Sequence, residues 1–359
     1  MTKKKLLIIN KAQFGYHTDS YKYCEYLKNK FDLTYICFDT NKKKYTIDGV
    51  NIIYVSYSGS FFQRGYSYIK FCRKHIKKNN FDLVLAVYFP MVSFITLFNY
   101  KINFLLDIRT GAVNKSKIRR RINDYIMIKE CSYFKNISVI SKSLMDKLNL
   151  NINKCDILPL GSDIMVSNIK EYINIKLLYV GTLSSRDIHK TVEGLSIFYE
   201  KHKNDNIIIS YDIFGDGNVN DTELLKKSIT KYNATSYVKY HGRKNHKELK
   251  LYFDKCNVGV SFIPITEYFD CQPPTKTYEY INSGMICLAT NTKENRKLIT
   301  NKNGILHYDT VESFSEALDI LYIKKSIFST INIINSLKMY NWKNIINNNL
   351  IPIINRISD

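Results

Sequence analysis

The chain has 359 residues, 45% of them hydrophobic and 24% charged, and a formal net charge of +21. That length predicts about two domains and that apolar share fills a core in each, which excludes a disordered chain. Eight cysteines lie scattered from Cys24 to Cys287, none in a CxxC pair, which argues against a zinc module and suits a reducing cytosol.

The charge is uneven. Residues 1–165 hold 28 Lys and Arg against 12 Asp and Glu, a net +16 that leaves only +5 for the rest. Such a half attracts phosphate on an anionic membrane surface or on nucleic acid. No helix-turn-helix, RNP or zinc-finger signature accompanies it, so nucleic acid is not expected and an anionic membrane surface is. The opening "MTKKKLLIIN" carries an apolar run too short for a signal peptide and reads as a first strand, so a cytoplasmic protein is expected. "LVLAVYFPMVSFITLF", residues 83–98, is short for a membrane span and broken by Pro90, giving strand, turn and helix; its uncharged second half, 91–98, also suits monotopic insertion.

Short apolar runs recur at 5–10, 33–38, 51–56, 83–88, 103–108, 136–141 and 155–161, with helical patterns near 17–30, 63–78, 91–98, 116–131 and 142–148 between them. Strands apolar on both faces that alternate with helices predict a doubly wound parallel sheet. After a polar connection near 162–174 the pattern restarts: strands at 175–183, 206–217, 237–242, 258–264, 286–290 and 304–308, with helices near 188–203, 221–232 and 245–255. The expected organisation is an α/β chain of two doubly wound Rossmann-like domains, 1–165 and 166–335, facing a central cleft, with a closing helix at 336–359. Open sheets of this kind bind ligands beyond the carboxyl ends of their strands.

Three loops of the second half carry polar chemistry. "YVGTLSSRDIHK" places Gly181, Thr182 and Arg186 between a strand and a helix; Ser184 and Ser185 suit helix caps, and the helix amides with Arg186 suit a phosphate. "IFGDG" contributes Gly215, and "HGRKNHKEL" contributes Gly242 and Arg243. "FDCQPPTKTYEYINSG" is the most specific. Pro273 and Pro274 restrict φ, the amides of Thr275 and Lys276 open a helix, and Lys276 and Glu279 share one helix face three residues apart. A cation and a carboxylate so spaced suit a diphosphate and a ribose diol; they equally suit a surface Lys–Glu pair.

In order along residues 175–310, "YVGTL…EGL", "IFGDG", "VKYHGRKNHKELKLYFDKCNVGVSFIP", "QPPTKTYEYINSG" and "NRKLI…NGIL" resemble glycosyltransferase family 4, the retaining GT-B enzymes, and "ILPLGSD" at 157–163 resembles that family's PxGxD. The resemblance implies that Glu279 binds the donor ribose, that Thr275 and Lys276 meet the diphosphate, and that Arg186 stabilises the departing nucleotide. It further implies donor contacts from Gly181, Thr182, Gly215, Gly242, Arg243 and Gln272. In the first half, "FGYHTDSYKYCEYL" resembles the acceptor-side loop, with Gly15 and His17, and "LLDIRTG" supplies Asp107 and Arg109 as catalytic-cleft candidates alongside Arg186 and Lys276. Asp107 and Arg109 alternate onto one side of a strand end, where a structural ion pair is the equal alternative.

Two departures stand out. Cys271 takes the place of the family's first glutamate, and Thr182 that of its arginine, with Arg186 where a lysine is usual. No DxD occurs, so no metal is expected. The implied activity is retaining transfer of a sugar from a nucleoside diphosphate to an acceptor hydroxyl, on a lipid-linked glycan of a bacterial surface polysaccharide such as capsule or lipopolysaccharide, by a protein peripheral on the cytosolic membrane face. A non-catalytic nucleotide-sugar-binding or scaffold protein, or a GT-B epimerase, are the alternatives.

Overall fold

The computed structural model describes residues 3–97, 101–112, 116–164, 168–244 and 246–358, the side chains of residues 246 and 247 excepted. The chain forms two compact units: Met1–Leu160 with Trp342–Asp359, and Gly161–Asn341. The boundary expected at 165/166 lies outside the described residues, and the division falls just before it.

Unit 1 carries strands β1 (Lys5–Ile9), β2 (Asp32–Asp39), β3 (Val50–Ser56), β4 (Leu83–Val87), β5 (Asn103–Ile108), β6 (Asn136–Val139) and β7 (Cys155–Ile157), with helices α1 (Thr18–Leu27), α2 (Phe61–Lys78), α3 (Lys117–Cys131) and α4 (Lys142–Lys147). The sheet runs β3-β2-β1-β4-β5-β6-β7, parallel throughout. Central strand β4 is buried along its whole length because helices cover both faces, which is why "LVLAV" carries no polar residue. Helix α2 starts with a reciprocal capping box: Ser60 Oγ accepts from Gln63 N, and Gln63 Oε1 accepts from Ser60 N at 2.8 Å.

The expected helix at 91–98 is a short 3-10 turn, Val92–Ile95; residue 98 lies outside the described part. Met91 enters the turn at φ +75, a left-handed start that follows Pro90 and cannot be continued as an α-helix. The chain's last segment returns to unit 1. Trp342, 1% exposed, packs edge-on against Tyr23, and Arg356 pairs with Asp156. This tail is not one α-helix: a π turn, Ile346–Leu350, separates Trp342–Ile345 from Ile351–Ser358. Pro352 lacks an N–H and would crowd a regular preceding turn, which the wider turn relieves.

Unit 2 carries strands β8 (Ile175–Val180), β9 (Ile209–Phe214), β10 (Val238–Tyr240), β11 (Val258–Ser261), β12 (Ile286–Thr290) and β13 (Gly304–His307). Its helices are α5 (His189–His202), α6 (Val219–Lys231), α7 (His246–Lys255), α8 (Thr275–Asn282), α9 (Asn295–Leu298), α10 (Val311–Lys324) and α11 (Thr330–Ser336). The order β10-β9-β8-β11-β12-β13, again parallel, puts the topological switch between β8 and β11. Helix α10 had no counterpart in the sequence reading. It lies so close to α5 that a Cβ on Gly194 would meet Val311 O at 2.7 Å. Among the described residues no helix is long and apolar enough to cross a membrane.

Candidate functional site

The loops after β8 and β11 meet at the switch point of unit 2, and α8 is held there by buried contacts. Tyr280 OH accepts from Val180 N at 2.8 Å, so the last turn of β8 is bonded to the middle of α8. Gly259 in β11 permits this approach, since a Cβ there would lie 2.2 Å from Tyr280 Cγ. Ser261 Oγ, at the end of β11, is 2.8 Å from Thr277 Oγ1, which donates to Asn295 Oδ1, also at 2.8 Å. These bonds hold the start of α8 at the carboxyl edge of the sheet.

Pro274 is the residue before that start, at φ −83 and ψ 112, with Pro273 and Pro274 both buried. Thr277 N bonds Pro274 O, and no side chain caps the helix. The first-turn amides of Thr275 and Lys276 have no carbonyl one turn earlier to bond, and the helix dipole adds partial positive charge there. Lys276 Nζ and Glu279 Oε2 form an ion pair, with the two side chains 31% and 17% exposed. The pair is partly enclosed rather than spread on a solvated face. Glu279 Oε1 is left for another donor.

Arg186 lies over the ring of Phe269, its guanidinium carbon 4.1 Å from the ring centroid. Burial lowers its pKa, against the opposing influence of Tyr179 and Tyr268, and no carboxylate among the described residues pairs with it. A half-buried arginine without a counter-anion is a standing site for an anion. The loop that carries it differs from the sequence expectation. Ser184 and Ser185 do not cap α5: Ser184 Oγ accepts from Asn218 N at 2.9 Å, Ser185 takes φ +57 with its N–H on Asp221 Oδ2, and α5 begins at His189, preceded by Ile188, with no side-chain cap. Two left-handed residues, Ser185 and Asp187, fold the loop back and take the serines away from the helix axis.

Gly181 and Gly215 touch backbone to backbone. A Cβ on Gly215, which has φ +145, would sit 1.7 Å from Gly181 O. Thr182 is exposed, its hydroxyl donating to Asp216 O at 3.3 Å, and its carbonyl accepts from Tyr179 OH at 2.6 Å. Gly242 has φ +67 and accepts from Gly215 N. Arg243 is 80% exposed and pairs with Asp216, outside this enclosure. Gln272 is half-buried just before the prolines.

Cys271 is buried, its thiol near the carbonyls of Glu267 and Tyr268. Neighbouring Asp270 does not supply the absent carboxylate, because its side chain accepts from Lys293 N at 2.7 Å and pairs with Lys293 Nζ. Phe269, Tyr280 and Gly259 were missed by the sequence reading. A lone glycine inside "VGVS" was the available signal for the last of them.

In unit 1, Gly15 has φ +89 and a Tyr45 ring atom 2.4 Å from where a Cβ would stand, so only glycine fits this loop. His17 caps α1, its Nδ1 accepting from Ser20 N at 3.3 Å, and burial lowers its pKa despite Asp19. The acceptor at Nδ1 leaves the proton on Nε2.

Asp107 and Arg109 are not offered to a ligand: of the two readings of this strand end, cleft residues or a structural ion pair, the second is the one found. Asp107 is fully buried and accepts from Tyr23 OH at 3.0 Å and Ser138 Oγ at 2.8 Å; burial raises its pKa. Arg109, 6% exposed, donates to Asp19 Oδ2 at 2.5 Å and Leu158 O at 2.6 Å. Burial opposes its charge, but Asp19, Tyr23 and Asp107 outweigh that and raise its pKa. The side on which both residues lie is covered by α1, so the pair is structural.

The family model for glycosyl transferases group 1 matches residues 167–327, the span that holds these loops. No curated protein sequence matches the chain. Among solved structures, HepE of Anabaena, in complex with UDP and glucose, is 10% identical over 99% of this chain and 98% of its own, with a TM-score of 0.71. The lipopolysaccharide outer core galactosyltransferase WaaB is 13% identical over 97% and 99%, also at 0.71. A UDP-forming trehalose-phosphate synthase from Burkholderia xenovorans is 9% identical over 99% and 100%, at 0.73. At such identities these structures speak for the fold, and the family model speaks for the chemistry of the second unit. The chain as a whole has the fold of GT-B glycosyltransferases, and its residues 167–327 match the glycosyl transferases group 1 family.

Proposed function

We propose that the enzyme moves a hexose-type sugar from a nucleoside diphosphate to an acceptor hydroxyl with retention of anomeric configuration. The observation that carries this reading is the start of α8: a proline-stiffened turn presents two amides, an ammonium and a carboxylate within five residues, and Phe269 of the preceding loop holds carboxylate-free Arg186 of the loop after β8. In this reading Glu279 Oε1 takes the ribose hydroxyls. Lys276, the Thr275 and Lys276 amides and Arg186 take the pyrophosphate. As the bond from the anomeric carbon to the phosphate oxygen breaks, its electron pair stays on that oxygen, where the preorganised cations stabilise it. The acceptor oxygen bonds the anomeric carbon from the same face and passes its proton to the phosphate, so no protein base is needed. Charge on the leaving group is met without a metal ion, and turnover is expected to survive chelation.

The acceptor we propose is a lipid-linked glycan at the cytosolic membrane face, in the assembly of a bacterial surface polysaccharide. The +16 excess of residues 1–165 supports it, as does fold kinship with WaaB, a lipopolysaccharide galactosyltransferase. A second reading, a nucleotide-sugar-binding protein without turnover, is favoured by one feature: buried Cys271 stands where a glutamate is expected, and the neighbouring Asp270 carboxylate is engaged by Lys293. Turnover separates the two. With UDP-, GDP- and CMP-linked sugars as donors, the enzyme should release nucleotide, and Glu279→Ala and Lys276→Ala should each abolish release. Donor binding with no release in any acceptor mixture would instead establish the second reading.

A further inference from the structure

Unit 1 has a groove of about 710 Å³ between α2 and the 92–95 turn. Its floor is apolar, formed by Tyr66, Ile69, Met91 and Phe94, and its edge is formed by four lysines and Arg73 of α2. Phe62, Tyr66, Ile69, Arg73 and Lys77 recur at three- and four-residue spacing, so one side of the helix runs from aromatic at its start to cationic at its end. Six Lys and Arg side chains and no Asp or Glu lie on α2. Phe61, Phe62 and Tyr66 are 66%, 76% and 64% exposed, and Phe94 is 47% exposed. Apolar side chains of that size, gathered on one side and left in water, mark a docking surface rather than ordinary surface.

A second helix repeats the design. On α3, Ile118, Ile122, Tyr125 and Ile126 fall at i, i+4, i+7 and i+8 and are 72%, 53%, 60% and 41% exposed. Arg119 and Arg121 flank that stripe. The 92–95 turn joins the two helices: Met91 N and Ser93 Oγ both donate to Glu130 Oε1 of α3, while a Cβ on Gly65 of α2 would stand 3.9 Å from Met91 Sδ. The one acid on α3 besides Glu130 is Asp124, and its carboxylate accepts from Ala112 N and pairs with Lys147.

We propose that α2, the 92–95 turn and α3 form the surface by which the enzyme lies on an anionic lipid leaflet, with the groove taking a hydrocarbon chain and the α2 cations the lipid phosphates. The charge selects this occupant. A nucleic acid would be met by cations and stacking rings without a deep aliphatic groove, and a protein partner would not require a helix stripped of acids. Aromatic and isoleucine side chains enter the headgroup boundary while lysines and arginines stay at phosphate level. The proposal rests on the reading that the acceptor is presented at a membrane, and it gives that reading a set of residues.

The test is co-sedimentation of the full chain with phosphatidylcholine vesicles, with and without phosphatidylglycerol. The chain should pellet with the anionic vesicles and stay in the supernatant with the neutral ones. Phe62→Ser with Tyr66→Ser, and separately Lys74→Glu with Lys77→Glu, should each lower partition about tenfold or more. Lys227→Glu with Lys239→Glu in unit 2, the same change of charge, should leave it within about twofold.

A fluorescence readout needs no loss of binding. Trp342 is the only tryptophan and is buried, so in Phe94→Trp a brominated lipid should quench the new residue and spare the old. Equal pelleting with both vesicle types, no effect of either α2 double variant, no quenching at position 94, or tighter binding to a single-stranded RNA than to anionic vesicles would each overturn the proposal. Nucleotide release in solution, measured on the same variants, keeps the two questions apart: the α2 variants should retain it, and Glu279→Ala should lose it while still pelleting.

Discussion

The two units share one architecture and treat charge in opposite ways. In unit 1 the polar residues at the strand ends are consumed by the fold: Arg109 is taken by Asp19 and the Leu158 carbonyl, and Asp107 by Tyr23 and Ser138. In unit 2 the equivalent edge holds Arg186 against an aromatic ring with no carboxylate among the described residues paired to it, beside a partly enclosed Lys276–Glu279 pair at an uncapped helix start. A doubly wound sheet offers the same place twice, and the two copies differ in whether the fold neutralises the cation held there. Unit 1 spends its remaining charge on its outer helices, where α2 carries no acid at all.

The largest effect that would break this contrast is structural. Arg109→Met strands Asp19 and Asp107 in the interior of unit 1, and breaking a buried pair on one side costs about 3–5 kcal/mol. Chemical unfolding should show that loss while titration with a nucleoside diphosphate shows unit 2 binding as before. Wild-type stability with abolished turnover would make Arg109 a ligand contact and erase the difference between the units. The next effect belongs to unit 2. Removing one preorganised cation from the leaving group costs about 10²- to 10³-fold in rate. Arg186→Ala should therefore lower kcat by about that factor with little change in unfolding midpoint, because the fold gives this side chain a ring to lie on and no carboxylate to pair with.

Much of this was legible before any coordinates. Apolar runs and turn residues located the strands to within a few residues, since parallel strands buried on both faces leave little other reading of "LVLAV" or "ICLAT". The start of α8 was legible for a local reason: proline, amide, lysine and glutamate lie within seven residues, and their relation is set by helix geometry alone. What failed was non-local. Strand parity correctly placed Asp107 and Arg109 on one side, but α1, whose Asp19 and Tyr23 cover that side, lies more than 80 residues earlier. Arg186 and Phe269 meet across a comparable separation. Ser184 and Ser185 read as caps until left-handed turns at Ser185 and Asp187 redirected them. The amphipathic stripe of α3 was hidden in plain view, because periodic isoleucines predict a buried face and only the fold shows that α3 buries another one through Met127, Glu130 and Cys131.

The smallest effect concerns how each unit answers acid. Unit 2 buries an uncharged titratable group: His307 at the end of β13 is 3% exposed, stacks on Phe262 at 5.6 Å between centroids and meets Phe314 edge-on at 5.2 Å. Its Nδ1 donates to Tyr308 O at 2.7 Å, which leaves Nε2 as the unprotonated nitrogen. Burial lowers its pKa to about 4, and the Tyr308 carbonyl, Asp309 and the Leu288 carbonyl pull the other way without prevailing. An unfolded histidine titrates near 6.5, so between pH 6.5 and 4 the unfolded chain holds the extra proton. Stability is then full above pH 6.5 and falls as the pH drops through that window, by about 3 kcal/mol at most. His307→Phe removes the titration along with the Tyr308 bond. It should be less stable than wild type at pH 7, yet lose less on going to pH 5, as read from denaturant midpoints at the two values. Parallel losses in both proteins would assign the acid sensitivity to groups other than His307.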